Sequence, residues 1–377
     1  MYFPFTPEQD MIRMMVEQFA RKEVAPGAAQ RDETGEFPVE LVAKLAQLGL
    51  CGMMVPAAYG GSETGAVAYV LAVMEIARAC ASTAVTMSVT NLTTAPLAQF
   101  GTEEQKQRLL KPLASGQVLG AFALTEPEAG SNLAEIACSA RRKGDRYLLN
   151  GTKVFITNGA YAGLFFVLAR TGEAGGRGLS AFAIEKGAKG LEVGRSIHKM
   201  GLRASNTVEI HFEDCEVPEA NRIGKEGEGG RIVTQALASG RIGIAAQAVG
   251  MIRACLEEAT AYANERRQFN RPLSAHQAIQ WMIADIATGL EAATLLTLSA
   301  AALKDRGQEF VREASMAKLF ATETLNRAAY SALQIHGGYG YTKEFPIERI
   351  YRDARVTTIY EGTSEVQRML IARETLK

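Results

Sequence analysis

The chain has 377 residues, 41 of them Lys or Arg and 41 Asp or Glu, so its formal charge is zero. That balance excludes functions resting on a global basic field, such as non-specific nucleic-acid binding or adhesion to an anionic membrane. Hydrophobic residues at 47% and charged residues at 22% exclude disordered, collagenous and low-complexity classes, and leave two or three domains or one large enzyme.

The opening MYFPFTPEQD carries neither a basic stretch before an apolar core nor an Arg- and Ser-rich presequence. Apolar runs such as Ala162 to Ala169 fall far short of the roughly 18 residues of a spanning helix. A soluble intracellular protein is expected, cytoplasmic in a bacterium or in the mitochondrial matrix without its presequence. Thr6-Pro7-Glu8 reads as an N-cap, a first-turn proline and an early acid, and Met11, Met14, Met15 and Phe19 then recur on one helical face. Ala-rich runs over 66–87 and a Thr102-x-x-Gln105 capping box continue a helical zone over 1–119. Five cysteines (Cys51, Cys80, Cys138, Cys215, Cys255) without a CxxC pair predict reduced thiols, and the four scattered histidines predict no zinc site.

From 120 to 226 the period changes to two. Tyr147 to Leu149, Thr152 to Thr157, Leu164 to Ala169, Leu179 to Ile184 and Thr207 to Phe212 read as short strands. Val208, Ile210 and Phe212 alternate with Glu209, His211 and Glu213, the pattern of a sheet with one covered face. Strands without intervening helices predict an antiparallel barrel or sandwich rather than βαβ units. A second helical zone occupies 227–377, with helices over Ile232 to Asn264, Leu273 to Asp305 and Val311 to His336, a Gly-rich break at 337–340, and a last helix from Ser364. The fold class is α+β: helical domain, β-domain, helical bundle. A short Gly-rich stretch at 224–230 is the one hinge expected.

GxGxxG after a strand, GxxxxGK[ST] and GxSxG are all missing, which argues against a Rossmann crevice, a kinase and an α/β-hydrolase. Four segments stand out. In Phe122-Ala-Leu-Thr-Glu-Pro-Glu-Ala-Gly-Ser-Asn132 a strand enters a Pro and Gly turn whose N–H groups and hydroxyls, Thr125 and Ser131, suit a flat heteroaromatic ring or a phosphate. Asn150 to Asn158 is a turn and strand ending in a polar pair. Glu265 to Leu273 is a basic helix end whose arginines can fork onto a pyrophosphate. The fourth is the block 334–368. Each also has a bland reading: a structural turn, a solvated helix end at Arg266–Arg267, a helix cap at His336, and a surface acid at Glu361 before a Ser364-x-x-Gln367 capping box.

In their order over residues 5–375, densest at 122–132, 150–158, 199–207 and 334–368, these segments resemble the acyl-CoA dehydrogenase family of flavoproteins. The resemblance implies two helical bundles around a β-domain, with FAD extended between domains. It implies that Phe122, Leu124, Thr125 and Ser131 line the flavin and the substrate thioester. Phe155, Ile156 and Thr157 would back the flavin, Thr157 near its N5. Arg266 and Gln277 would hold the adenylate and pyrophosphate, and Gln334 to Gly338, with Gly337 and Gly338, would reach the FAD of a neighbouring subunit in a homotetramer built as a dimer of dimers. Thr363, Ser364 and Glu365 would close over the cofactor at a helix N-terminus. Glu361 matches the catalytic base, and its N–H with a hydroxyl of FAD would clamp the thioester oxygen. Ser131, Arg241, Tyr360 and Gly362 match substrate-contacting positions. The implied partners are an acyl-CoA and electron-transferring flavoprotein.

Two residues depart from the commonest pattern: Asn132 where Asp is usual, and Phe155 where many relatives have Trp. Ala81 to Thr86 holds no cation for a second carboxylate, so a monocarboxylic acyl group is expected. Gly240 fills the helix position at which isovaleryl- and long-chain-type relatives carry the base, leaving that role to Glu361. Oxidases of the superfamily and non-catalytic assembly-factor relatives are the alternatives.

Overall fold

The computed structural model describes residues 4–377 apart from 174, 176 and 177; the first three residues of MYFPFTPEQD therefore lie outside it. Helix α1 (Pro7–Phe19) begins as expected, with Thr6 and Gln9 closing a reciprocal capping box. Its methionine stripe does not face the core: Met11 and Met14 are 67% and 62% exposed, and Val16 is the buried residue. Short helices α2 (Ala28–Thr34) and α3 (Val39–Gln47) lead to α4 (Gly65–Ala79) and α5 (Ala81–Phe100), both almost wholly buried. Helix α5 is rich in Thr, and it keeps those hydroxyls inside by bonding them back one turn, Thr86 to the Ser82 carbonyl at 3.1 Å and Thr90 to that of Thr86 at 3.0 Å. The stretches α6 (Glu103–Gln105) and α7 (Lys111–Ala114) follow, α6 opened by the Thr102–Gln105 capping box.

Strands β1 (Leu119–Ala123), β2 (Ser139–Lys143), β3 (Arg146–Thr157), β4 (Ala162–Arg170), β5 (Leu179–Glu185), β6 (Leu191–Ser196), β7 (Thr207–Pro218) and β8 (Arg222–Ile223) form one sheet, ordered β6-β7-β3-β2-β4-β5-β8 with β1 beside β4. It is mainly antiparallel; β1–β4 and a single β2–β4 pair run parallel. Two predicted strands merge into the continuous β3, because Asn150-Gly151 makes an irregularity and not a turn. The one-sided pattern of β7 is observed, whereas β4 is covered on both sides: Leu164, Phe166 and Leu168 pack with helical leucines, Phe165 and Val167 into the sheet's own core.

Helix α8 (Gly229–Glu265) is the central element. The two-residue strands β9 (Arg267–Gln268) and β10 (Arg271–Pro272) separate it from α9 (Gln277–Asp305), which starts four residues later than predicted because Leu273–Ala275 is a 3-10 turn. Helix α10 (Val311–His336) has the expected limits, and α11 (Ile347–Ala354) and α12 (Ser364–Thr375) complete the chain. One hydrophobic core runs from α1, α4 and α5 through α8 to α11, so both helical zones share an interior. Arg352 ties the zones together through Asp32, Glu348 and the Met200 carbonyl, while Asp353 accepts the Leu202 N–H. Among the described residues one helix, α9, is long and apolar enough, by length and composition alone, to cross a membrane, with mean hydropathy 1.5 and a third of that window buried. The run-length criterion overlooked it because isolated polar residues interrupt the apolar stretch.

Candidate active site

Glu361 sits where α8, α10 and the loop before α12 converge. Its backbone is left-handed at φ 55°, as is Gly362 at 90°, a conformation that β-carbon sterics disfavour and that must be held from outside. Lys318 of α10 and Gln367 of α12 hold it: both donate to the Gly362 carbonyl at 2.8 Å, and Gln367 also donates to the Glu361 carbonyl. Tyr360 donates to Gln247 Oε1 at 2.5 Å, fixing the loop to α8. The Glu361 residue is partly exposed, yet its Oε2 is buried and has no hydrogen-bond partner. Burial pushes this carboxyl from its ordinary 4.5 up to about 7, with Arg241 and Lys318 pulling the other way. The surface-acid reading of Glu361 is thereby corrected. So is the cap: Thr363, not Ser364, accepts the Val366 N–H, and Ser364 and Gln367 turn inward.

Arg241 is 4% exposed, with Nε and Nη1 unpartnered. Burial lowers its pKa to about 10. Gly240, beside it, leaves the space that Glu361 fills. Orphaned buried atoms of Glu361, Arg241, Ser364 and Gln367 in one neighbourhood are what a site completed by ligands presents. The Glu361 N–H likewise meets no acceptor among the described residues, as an oxyanion donor requires.

The β-domain contributes a wall. A register shift between Lys153 and Ile156 puts Phe155 at φ 59° and thrusts its ring outward, 64% exposed. Ile156 faces the opposite way into the sheet core, so it can serve a cofactor only through its backbone; Thr157 stays half-buried beside it. Phe122 stacks on Phe166 with centroids 4.4 Å apart, and Leu124 is buried, which makes both supports of the loop. Thr125 is half-buried and its carbonyl accepts the Val154 N–H; Ser131 is exposed, and Gly130 has open space around it. Asn132 caps the next turn through the Ala134 N–H, a job Asp would also do.

Sequence reasoning missed the pair that rigidifies this loop. Buried Lys153 donates to Glu126 and to the Leu124 carbonyl, while Glu126 accepts the Ala137 and Cys138 N–H groups. Buried Asn158 reaches the Thr86 and Gly120 carbonyls and joins the same strand to α5. The available signal was a lysine at an otherwise apolar strand position, and in Lys318 a lysine on the apolar face of a helix.

The remaining predicted residues gather elsewhere. Arg266, Gln334, Gly337 and Gly338 line a cleft of about 500 Å³ with Tyr262 and Tyr339, and the Arg266 guanidinium lies 5.5 Å from the Tyr339 ring centre. Gln277 opens α9 but is not among the lining residues, and Glu365 is exposed at the start of α12. His336 is a buried ring stacked on Tyr262, with Gly337 as the cap. No residue around Glu361 lines this cleft, and Lys318 and Gln334, sixteen positions apart on α10, lie about 24 Å from each other along its axis.

Three family models match in this order: the acyl-CoA dehydrogenase N-terminal domain over 6–117, the middle domain over 121–215 and the C-terminal domain over 227–376. The chain belongs to the acyl-CoA dehydrogenase family. It is 46% identical to the short-chain-specific acyl-CoA dehydrogenase of Clostridium acetobutylicum over 99% of both chains. Butyryl-CoA dehydrogenase from Megasphaera elsdenii shares its structure at a TM-score of 0.98 and 41% identity, covering all of both chains. A chain in the structure described as the electron transferring flavoprotein of Acidaminococcus fermentans matches equally well, at 0.98 and 44% identity over both full lengths.

Proposed function

We propose that this enzyme dehydrogenates a short- to medium-chain, monocarboxylic acyl-CoA thioester to the trans-2-enoyl-CoA. The observation that carries the proposal is a buried carboxylate with a free oxygen, on a strained and externally held loop, tuned near neutrality. Such a group takes a weakly acidic proton from a carbon next to a thioester carbonyl. FAD, when bound, supplies the acceptor for the hydride that leaves the β-carbon.

Glu361 Oε2 receives the α-proton, and loss of that proton and of the β-hydride leaves the carbon–carbon double bond. The Glu361 N–H, aimed by the left-handed loop, stabilises negative charge on the thioester oxygen. Arg241 and Gly362 flank the same space, and the unpartnered guanidinium nitrogens favour the ionised base. Tyr360 positions the loop through Gln247. The exposed Phe155 ring, Thr157, and the Thr125 and Ser131 turn form a surface that fits a flat ring system, and Thr363, Ser364 and Glu365 close the other side.

The Arg266, Gln334, Gly337 and Gly338 cleft, with Gln277 nearby, suits the adenylate and pyrophosphate of the cofactor bound by a neighbouring subunit; the 24 Å separation supports that division. It calls for a homo-oligomer, proposed as a homotetramer arranged as a dimer of dimers, whose packing would cover the apolar flank of α9. Electrons pass to electron-transferring flavoprotein, a partner supported by the structural match above.

Anaerobic titration with butyryl-CoA tests the reading: the flavin spectrum should bleach with about one FAD per chain. Purified protein that lacks flavin after reconstitution, or whose flavin no acyl-CoA bleaches, would sink it and favour a non-catalytic relative.

A further inference from the structure

Helix α8 presents two glycines on one stripe. A β-carbon on Gly240 would meet Glu361 Oε2 at 2.7 Å and Leu92 Cδ1 at 3.3 Å. One on Gly243 would meet the Tyr69 hydroxyl oxygen at 2.5 Å and its Cζ at 3.4 Å. The two glycines lie three residues apart on one face of α8, and a rise of 1.5 Å per residue sets them about 4.5 Å apart on the helix axis. Tyr69, from α4, is 2% exposed, and near its hydroxyl lies Ser88 of α5, itself 6% exposed, whose Oγ is buried without a hydrogen-bond partner. The tract beside the two glycines thus has Glu361 and Leu92 at the Gly240 end and the Tyr69 hydroxyl at the Gly243 end.

We infer that Tyr69, seated on Gly243, is the stop that limits acyl length in this enzyme. The inference rests on the acyl-CoA reading above. A substrate must bring its α-carbon to Glu361 Oε2, so its remaining carbons run along the stripe within about one helical turn. A four-carbon chain fits that interval; an eight-carbon chain meets a phenol that cannot retreat, because its ring is packed in the core shared by α4, α5 and α8. Gly243 matters because any side chain there would collide with the phenol and drive it from this seat.

The test compares FAD-loaded wild type, Tyr69→Ala and Tyr69→Phe. Two readouts are taken: kcat/KM for butyryl-, hexanoyl- and octanoyl-CoA, and calorimetric binding of the unreactive thioethers butyl-CoA and octyl-CoA. Wild type should favour butyryl-CoA. Tyr69→Ala should raise the octanoyl-to-butyryl ratio by at least about tenfold, with a parallel gain in octyl-CoA affinity relative to butyl-CoA. Tyr69→Phe, which keeps the ring, should keep the wild-type order. If Tyr69→Ala does not retain FAD, Tyr69→Leu, which withdraws the ring tip but keeps core volume, carries the same comparison. A flavin-loaded variant with unchanged ratios and unchanged thioether affinities overturns the inference. Bleaching of the wild-type flavin by butyryl-CoA is independent of that result and bears only on the function itself.

Discussion

A β-carbon on Gly240 would stand 2.7 Å from the Oε2 of Glu361 and 3.3 Å from its Cδ. The helix position and the loop position therefore share one space, and only one can hold a side chain that reaches it. Moving the base is a matter of volume as well as charge. Gly240→Glu alone should abolish turnover and displace the loop. Glu361→Gln combined with Gly240→Glu should recover little, because Gln occupies the volume Glu did. Glu361→Gly with Gly240→Glu should recover more of the flavin reduction rate, measured by anaerobic stopped flow. Equal recovery in both double variants would show that the space is not shared.

Glu361→Gln by itself should keep FAD and lower the rate of flavin reduction by several orders of magnitude. Burial holds the carboxyl at about 7, and a carboxyl acts as a base only when ionised. The kcat/KM of the wild type should accordingly rise with pH through about 7. Arg241→Met removes the larger of the two opposing cations, so the rise should move to higher pH; a shift to lower pH would contradict the electrostatic assignment.

The same tuning bears on stability. The folded-state pKa of Glu361 lies above its ordinary value, so its contribution is fully present below about pH 4.5 and is lost as pH rises through about 7. Above that the fold carries a buried charge, at a cost of about 3 kcal/mol at most. Glu361→Gln should raise the melting temperature at pH 8 and change it little at pH 5. Calorimetry at the two pH values checks this, and an equal gain at both would contradict it.

Lys318 is wholly buried and serves two ends, donating to the Gly362 carbonyl and favouring the ionised Glu361. Its own pKa is pushed down to about 8 by burial. Lys318→Met should retain flavin, lower kcat/KM at pH 7 by roughly tenfold, and move the acid limb upward by up to about one pH unit. A rate loss without movement of the pH profile would reduce Lys318 to a packing residue.

The sequence by itself determined the features that act over a few residues: the Thr6 and Thr102 caps, the limits of α10, the start of α12, the alternation in β7, and the order of motifs that marks the family. Caps, periodicity and turn chemistry need only near neighbours, so they can be read along the chain. The environment of Glu361 could not. Arg241 and Lys318 lie 120 and 43 residues before it, and only helix packing brings them to its carboxylate. Tertiary structure also turned Ser364 inward in favour of Thr363, threw Phe155 out at a bulge set by pairing with β7, and opposed Tyr69 to Gly243. In each case the deciding quantity, burial or a contact across elements, depends on groups remote in sequence. Local spacing carries no record of them.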